Sequence, residues 1–134
     1  MNTLYMLDTN AVSDLIRKNS NRLDVRTAAA GTERLVVSVI SYGEMLYGLA
    51  NNPEAKRLRA AAEHILATLT ILDWTARTGG RYGQLRADMR RSGKALQPLD
   101  MLIAAHALEA GATLVSSDRA FRFVPGLAVE DWTA

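Results

Sequence analysis

Four acidic residues of the 134-residue chain stand where a strand-like run ends or a helical pattern begins. Asp8 ends Leu4-Tyr5-Met6-Leu7, and Glu44 follows the run from Leu35 to Ile40. Asp100 comes two residues after Pro98, and Asp118 follows Thr113-Leu114-Val115-Ser116. In a parallel sheet covered by helices, strand ends and helix starts share one edge, and ligands bind there. Carboxylates gathered at that edge with no basic partner repel and raise one another's pKa. A divalent cation relieves that repulsion. The donors are all oxygen, the chain has no cysteine, and neither histidine lies at a junction. A hard ion, Mg²⁺ or Mn²⁺, fits such a set. The ion lowers the pKa of a bound water, which can attack phosphorus without a histidine base or a serine nucleophile.

Each acid also has a purely structural reading. Ser41-Tyr42-Gly43-Glu44 matches a capping box. Asp100 sits where a helix dipole favours negative charge. Asp118 can be an ordinary N-cap, and Asp8 can simply end a strand. Singly, these readings suffice; it is the convergence of all four that points to a metal.

The elements that must position these acids follow from the patterning. Leu4 to Leu7 is apolar without alternation, as in a central strand buried on both faces. Thr9 or Asn10 can cap a helix over roughly residues 11–18, and a second, Ala-rich helix stops at Gly31. A strand spans Leu35 to Ile40, and Ser41 opens the next helix. After Asn51-Asn52-Pro53, residues Ala55, Leu58, Ala62, Ile65 and Leu69 form a helical apolar stripe. Thr70-Ile71-Leu72 reads as a strand, and Asp73 can cap a long helix ending at Gly93. A helix runs from about Leu99 to Ala110, followed by a strand at Thr113–Ser116. A helical turn from Asp118 to Phe123 and a last strand at Leu127–Val129 complete the chain. Alternating strands and helices define an α/β class with a mainly parallel sheet of about five strands flanked by helices.

The length suits a single domain over residues 1–134, and the 49% apolar share supports a full core. Net charge is +2 and the pI about 9.2, which permits a polyanionic partner without demanding one. The absence of cysteine excludes disulfides, thiolate catalysis and Cys-based zinc sites. No apolar run spans a bilayer, and Asp8 interrupts the only N-terminal apolar stretch, so the expectation is a soluble cytoplasmic protein without membrane attachment.

These motifs together resemble those of PIN-domain ribonucleases, and more narrowly the VapC toxins of type II toxin–antitoxin modules. The resemblance is carried by Leu7-Asp8-Thr9-Asn10, by Ser38 to Gly48 around Glu44, by Pro98-Leu99-Asp100 leading into Ile103-Ala104-Ala105-His106-Ala107, and by Val115 to Phe121 around Asp118. Gly83-Gln84-Leu85-Arg86-Ala87 and Glu130-Asp131-Trp132 add to it. Two departures are Gln97, where a glycine is common, and Ser117 before the last acid.

The resemblance implies Mg²⁺-dependent RNA cleavage to 3′-hydroxyl and 5′-phosphate ends, with a tRNA anticodon loop as the expected target. It places Asp8, Glu44, Asp100 and Asp118 on an acidic quartet, with Asp8 and Asp100 as direct metal ligands. Glu44 positions a metal water or second metal, and Asp118 acts from the outer side. Thr9, Asn10, Ser41 and Ser116 fall where small polar residues orient the ligands. A homodimer and a VapB-type antitoxin are implied as partners.

Candidate RNA contacts are Arg86 and Arg90 on the long helix and Arg17 and Lys18 after the first, each with a solvated face as the plain alternative. His106 reads as a packed core histidine, and Trp74 and Trp132 as packing residues. Two rival functions are a phosphoacceptor signalling domain and a catalytically silent module on the PIN scaffold. The first wants adjacent early acids and a lysine near the last strand, whereas no lysine follows Lys94. An Asp-x-Asp phosphatase fails at Asn10.

Overall fold

The computed structural model describes residues 3–134; Met1 and Asn2 lie outside it. Five strands form one sheet in the order β3-β2-β1-β4-β5, with every neighbouring pair parallel. The strands are β1 (Tyr5–Leu7), β2 (Leu35–Ser38), β3 (Thr70–Leu72), β4 (Thr113–Val115) and β5 (Val129–Glu130). Six helices flank them: α1 (Thr9–Arg17), α2 (Asn21–Ala30), α3 (Val39–Ala50), α4 (Lys56–Thr68), α5 (Ala76–Arg91) and α6 (Pro98–Ala110).

The apolar run at β1 is central because successive side chains enter different cores. Leu7 packs with Val12, Leu15 and Ile16 of α1 and with Ala62 and Leu66 of α4. Met6 packs on the other face with Leu85 and Met89 of α5, Ile103 of α6 and Phe121. Both side chains are fully buried. Trp132 closes the first core. Its ring lies 4.9 Å from Tyr5, its Nε1–H donates to Glu130 (2.9 Å), and the Arg26 guanidinium stacks over it while bonding Glu130 at 3.0 Å.

Helix starts differ from the sequence expectation in three places. Asp8 itself caps α1, accepting from Ala11 N–H at 2.8 Å, so the helix begins at Thr9 rather than after Thr9 or Asn10. Ser38, not Ser41, caps α3. The β-branched Val39 and Ile40 read as strand, but the Ser38 hydroxyl takes the Ile40 N–H at 3.1 Å and turns the chain early. Thr75 rather than Asp73 caps α5, in a reciprocal box with Thr78, whose hydroxyl also donates to Glu109 at the far end of α6. The last strand is Val129–Glu130, shifted by its pairing with Leu114 and Val115.

Gly111 ends α6 in the left-handed region at φ 66°, and a Cβ there would meet no heavy atom within 4 Å. Gly111→Ala is therefore expected to cost only the backbone strain, about 1 kcal/mol, read from urea unfolding. Among the described residues no helix is long and apolar enough to cross a membrane.

Candidate active site

The four acids meet in one cleft of about 130 Å³, lined by Asp8, Thr9, Asn10, Glu44, Leu99, Asp100, Ile103 and Asp118. Each comes from a different junction. Asp8 stands between β1 and α1, and its backbone N–H bonds the Val115 carbonyl of β4 at 3.1 Å. Pro98 at the first position of α6 fixes the start of that helix and sets Asp100 in its first turn. Asp118 caps a 3₁₀ turn, Arg119–Phe123, through Ala120 N–H at 2.9 Å. Glu44 lies one turn into α3. With Ser38 as the cap, Glu44 is too far along the helix for the capping box suggested by the sequence. The reading of Asp118 as a cap is thus correct, Asp8 is a cap where it was expected only to end a strand, and both carboxylates face the cleft as well.

The small polar residues support the acids from behind. Thr9 Oγ1 donates to the fully buried Ser41 hydroxyl at 3.0 Å, tying the start of α1 to α3. Ser116 bonds the Asp8 carboxyl and accepts the Asp118 N–H at 3.0 Å, so one hydroxyl links two of the acids. Asn10 is exposed at the rim.

Electrostatics unite the aspartates. Burial drives the Asp8 pKa up to about 6, against the lowering effect of the Ser116 and Ala11 hydrogen bonds, and the charges of Asp100 and Asp118 raise it further. Asp100 is raised too, by burial and then by Asp118. No basic side chain lines the cleft. An all-oxygen, uncompensated acidic cleft of this kind suits a hard divalent cation. Among the described residues no three acidic or histidine side chains close on a single point. Mg²⁺ commonly uses one or two carboxylates and completes its shell with water and phosphate oxygens.

A second support joins the two halves of the site from inside the core. The buried His106 Nδ1 lies 2.7 Å from Ser38 Oγ, and the ring also bonds the Asp73 backbone. A backbone carbonyl only accepts, so the ring N–H faces Asp73 and Nδ1 accepts from Ser38. The bond thus links α6, which carries Asp100, to the cap of α3, which carries Glu44. Burial holds the His106 pKa down.

The sequence did not single out Leu99 and Ile103 as cleft walls, although their spacing of four on either side of Asp100 marks one helix face. Nor did it give His106 a partner. The candidate RNA contacts are not drawn to the cleft. Arg17 lines a separate apolar groove with Ile16, Met45 and Leu58, and Lys18 is exposed beyond the far end of α1. Arg86 donates to the Tyr82 hydroxyl at 2.9 Å, and Arg90 is exposed.

A five-stranded parallel sheet with acidic residues gathered on its carboxyl edge is compatible with a PIN-type protein, and residues 5–127 match the family model for the PIN domain. The chain belongs to the PIN-domain family, within its VapC ribonuclease branch. It is 32% identical over 129 residues to the tRNA(fMet)-specific endonuclease VapC of Salmonella typhimurium, covering 96% of this chain and 97% of that one. It is 35% identical over 130 residues to ribonuclease VapC2 of Haemophilus influenzae, with 96% and 97% covered. The fold superposes on the DNA-bound VapBC structure from Salmonella typhimurium with a TM-score of 0.90 at 31% identity, covering 97% of this chain and 98% of that chain.

Proposed function

We propose that this chain, as one PIN domain over residues 1–134, is a metal-dependent endoribonuclease and the toxin of a type II toxin–antitoxin pair. The observation that supports this most is the meeting of Asp8, Glu44, Asp100 and Asp118 in one cleft lined by no basic side chain, with Asp8 raised to about 6. Asp8 and Asp100 would hold Mg²⁺, or Mn²⁺ in its place. When bound, the ion neutralises the scissile phosphate and acidifies a water for attack on phosphorus. Glu44 orients that water from α3, and Asp118 acts from the outer side of the cleft. Ser116 holds the Asp8 carboxyl, the Thr9–Ser41 bond ties α1 to the helix that carries Glu44, and Asn10 presents a polar group at the rim.

The relatives support a tRNA substrate. The Salmonella typhimurium and Shigella flexneri proteins are tRNA(fMet)-specific endonucleases, which favours a tRNA anticodon loop here, cut in the cytoplasm to inhibit translation. Arg86 and Arg90, exposed and one turn apart on α5, are the candidate contacts for phosphates beyond the cleft. A VapB-type antitoxin is the expected partner of a homodimer, as VapBC complexes are among the similar structures. The groove between α1, α3 and α4, lined by Ile16, Met45, Leu58 and Ala62, offers an apolar seat for an antitoxin helix.

Expression without the antitoxin is expected to arrest growth within one doubling. Mapping RNA 5′ ends after a short pulse should reveal new 5′-phosphate ends at a small number of positions. Growth at the normal rate with folded protein present would instead favour a silent binding module.

A further inference from the structure

The segments that bring Asp100 and Asp118 to the cleft meet a second time outside it. Lys94 lies in the loop between α5 and α6, and Phe123 closes the 3₁₀ turn that Asp118 opens. The Lys94 ammonium stands over the Phe123 ring, 5.7 Å from its centroid. A 3₁₀ turn rises about 2 Å per residue, so the Phe123 backbone stands about 10 Å from that of Asp118. Phe123 is 60% exposed, while Phe121, two residues earlier, is 1% exposed in the core. Arg119 and Arg122 on the same turn are exposed.

A lone exposed apolar side chain needs no explanation. The position of this one is informative. The cleft is lined by acids and no base, so apart from the metal it would hold, it offers no cation to the phosphates that flank the scissile one. A strand entering it must be held at the rim by cations and by contacts that carry no charge. Aromatic faces stack on unpaired bases regardless of sequence, and a neighbouring ammonium meets the phosphate.

We infer that Phe123 is a stacking platform for an unpaired base of the RNA strand entering the cleft, with Lys94 meeting the adjoining phosphate. The inference rests on the ribonuclease reading above and names the form of the substrate: a single-stranded loop, whose bases alone can offer a free face.

The test uses a short single-stranded RNA carrying 2-aminopurine, bound to Asp100→Asn protein in EDTA and cleaved by otherwise wild-type protein in Mg²⁺. Phe123→Ala is expected to lose the stacking-induced quenching and to weaken binding about tenfold, while Phe123→Trp retains both. Lys94→Gln should lower the slope of log affinity against log salt by about 0.7. In cleavage, KM should rise by the same tenfold with kcat little changed.

If Phe123→Ala binds, quenches and cleaves like wild type while Asp100→Asn is inactive, the platform is wrong and the ribonuclease reading stands. A wild-type protein that neither binds nor cleaves RNA overturns both. If Phe123→Ala instead turns a dimer into a monomer in sedimentation with RNA binding unchanged, the ring serves a second copy and the inference fails.

Discussion

Asp8→Asn is expected to abolish RNA cleavage and, in the same molecule, to stabilise the metal-free fold at neutral pH. Loss of activity follows from the proposed role of the carboxylate, and Asp100→Asn should share it. The gain in stability follows from the cost of the charge. Asp8 is 4% exposed and titrates at about 6 in the folded chain, against 3.8 for a free aspartate side chain. The folded state thus binds the proton more tightly than the unfolded state. Its contribution is fully present below about pH 4 and is lost as pH rises through 6. The difference amounts to about 3 kcal/mol by pH 7. Asparagine removes the charge and keeps an oxygen for the Ala11 N–H.

His106, held low by burial, gives the opposite slope, because the unfolded chain takes up its proton first as pH falls below about 6.5. The informative quantity is therefore the difference between wild type and Asp8→Asn, measured by urea unfolding in EDTA from pH 4.5 to 7.5. Mg²⁺ should restore stability to wild type at pH 7 and leave the variant unchanged. An Asp8→Asn protein that is less stable than wild type at pH 7 without metal would sink this account.

The second large effect is expected at His106, outside the cleft. His106→Ala leaves the Ser38 hydroxyl and the Asp73 carbonyl without their buried partner and opens a cavity against Trp74, whose ring lies 5.5 Å away. A loss on the order of 3 kcal/mol is expected in chemical denaturation. Cleavage should fall as well, because Ser38 caps the helix that carries Ser41 and Glu44. His106→Asn places an amide oxygen near the position of Nδ1 and should recover the Ser38 bond and part of the stability. If His106→Ala unfolds like wild type, the bond between α6 and α3 has no structural weight.

Much of the site was legible in the sequence because topology alone brings it together. Once the strands are parallel and the helices run back against them, strand ends and the starts of covering helices fall on one edge, which brings together Asp8 and Asp118 from strand ends and Asp100 from the start of α6. The strand Thr70–Leu72 was readable from its short apolar run, and Gly31 and Gly111 marked helix ends through their backbone freedom. What escaped depends on distances between elements. Val39 and Ile40 carry strand propensity, and only the Ser38 cap, held by a histidine 68 residues away, turns them into helix. The contact between Lys94 and Phe123 is set by how two loops close, which no local pattern encodes. Exposed arginines were the least legible, since surface charge has no buried partner to fix its direction.

The capping role of Asp8 has a consequence for how the chain can vary. One of its oxygens is spent on the first turn of α1, so the direction of the carboxylate is set by where that helix begins. Each residue of an α-helix turns the chain by about 100° and advances it 1.5 Å. Inserting a single residue between Asp8 and Ala11 would either break that bond and free the acid, or keep it and turn Val12, Leu15 and Ile16 by about 100° out of the first core. The aim of the cleft is therefore inherited from the phase of one helix.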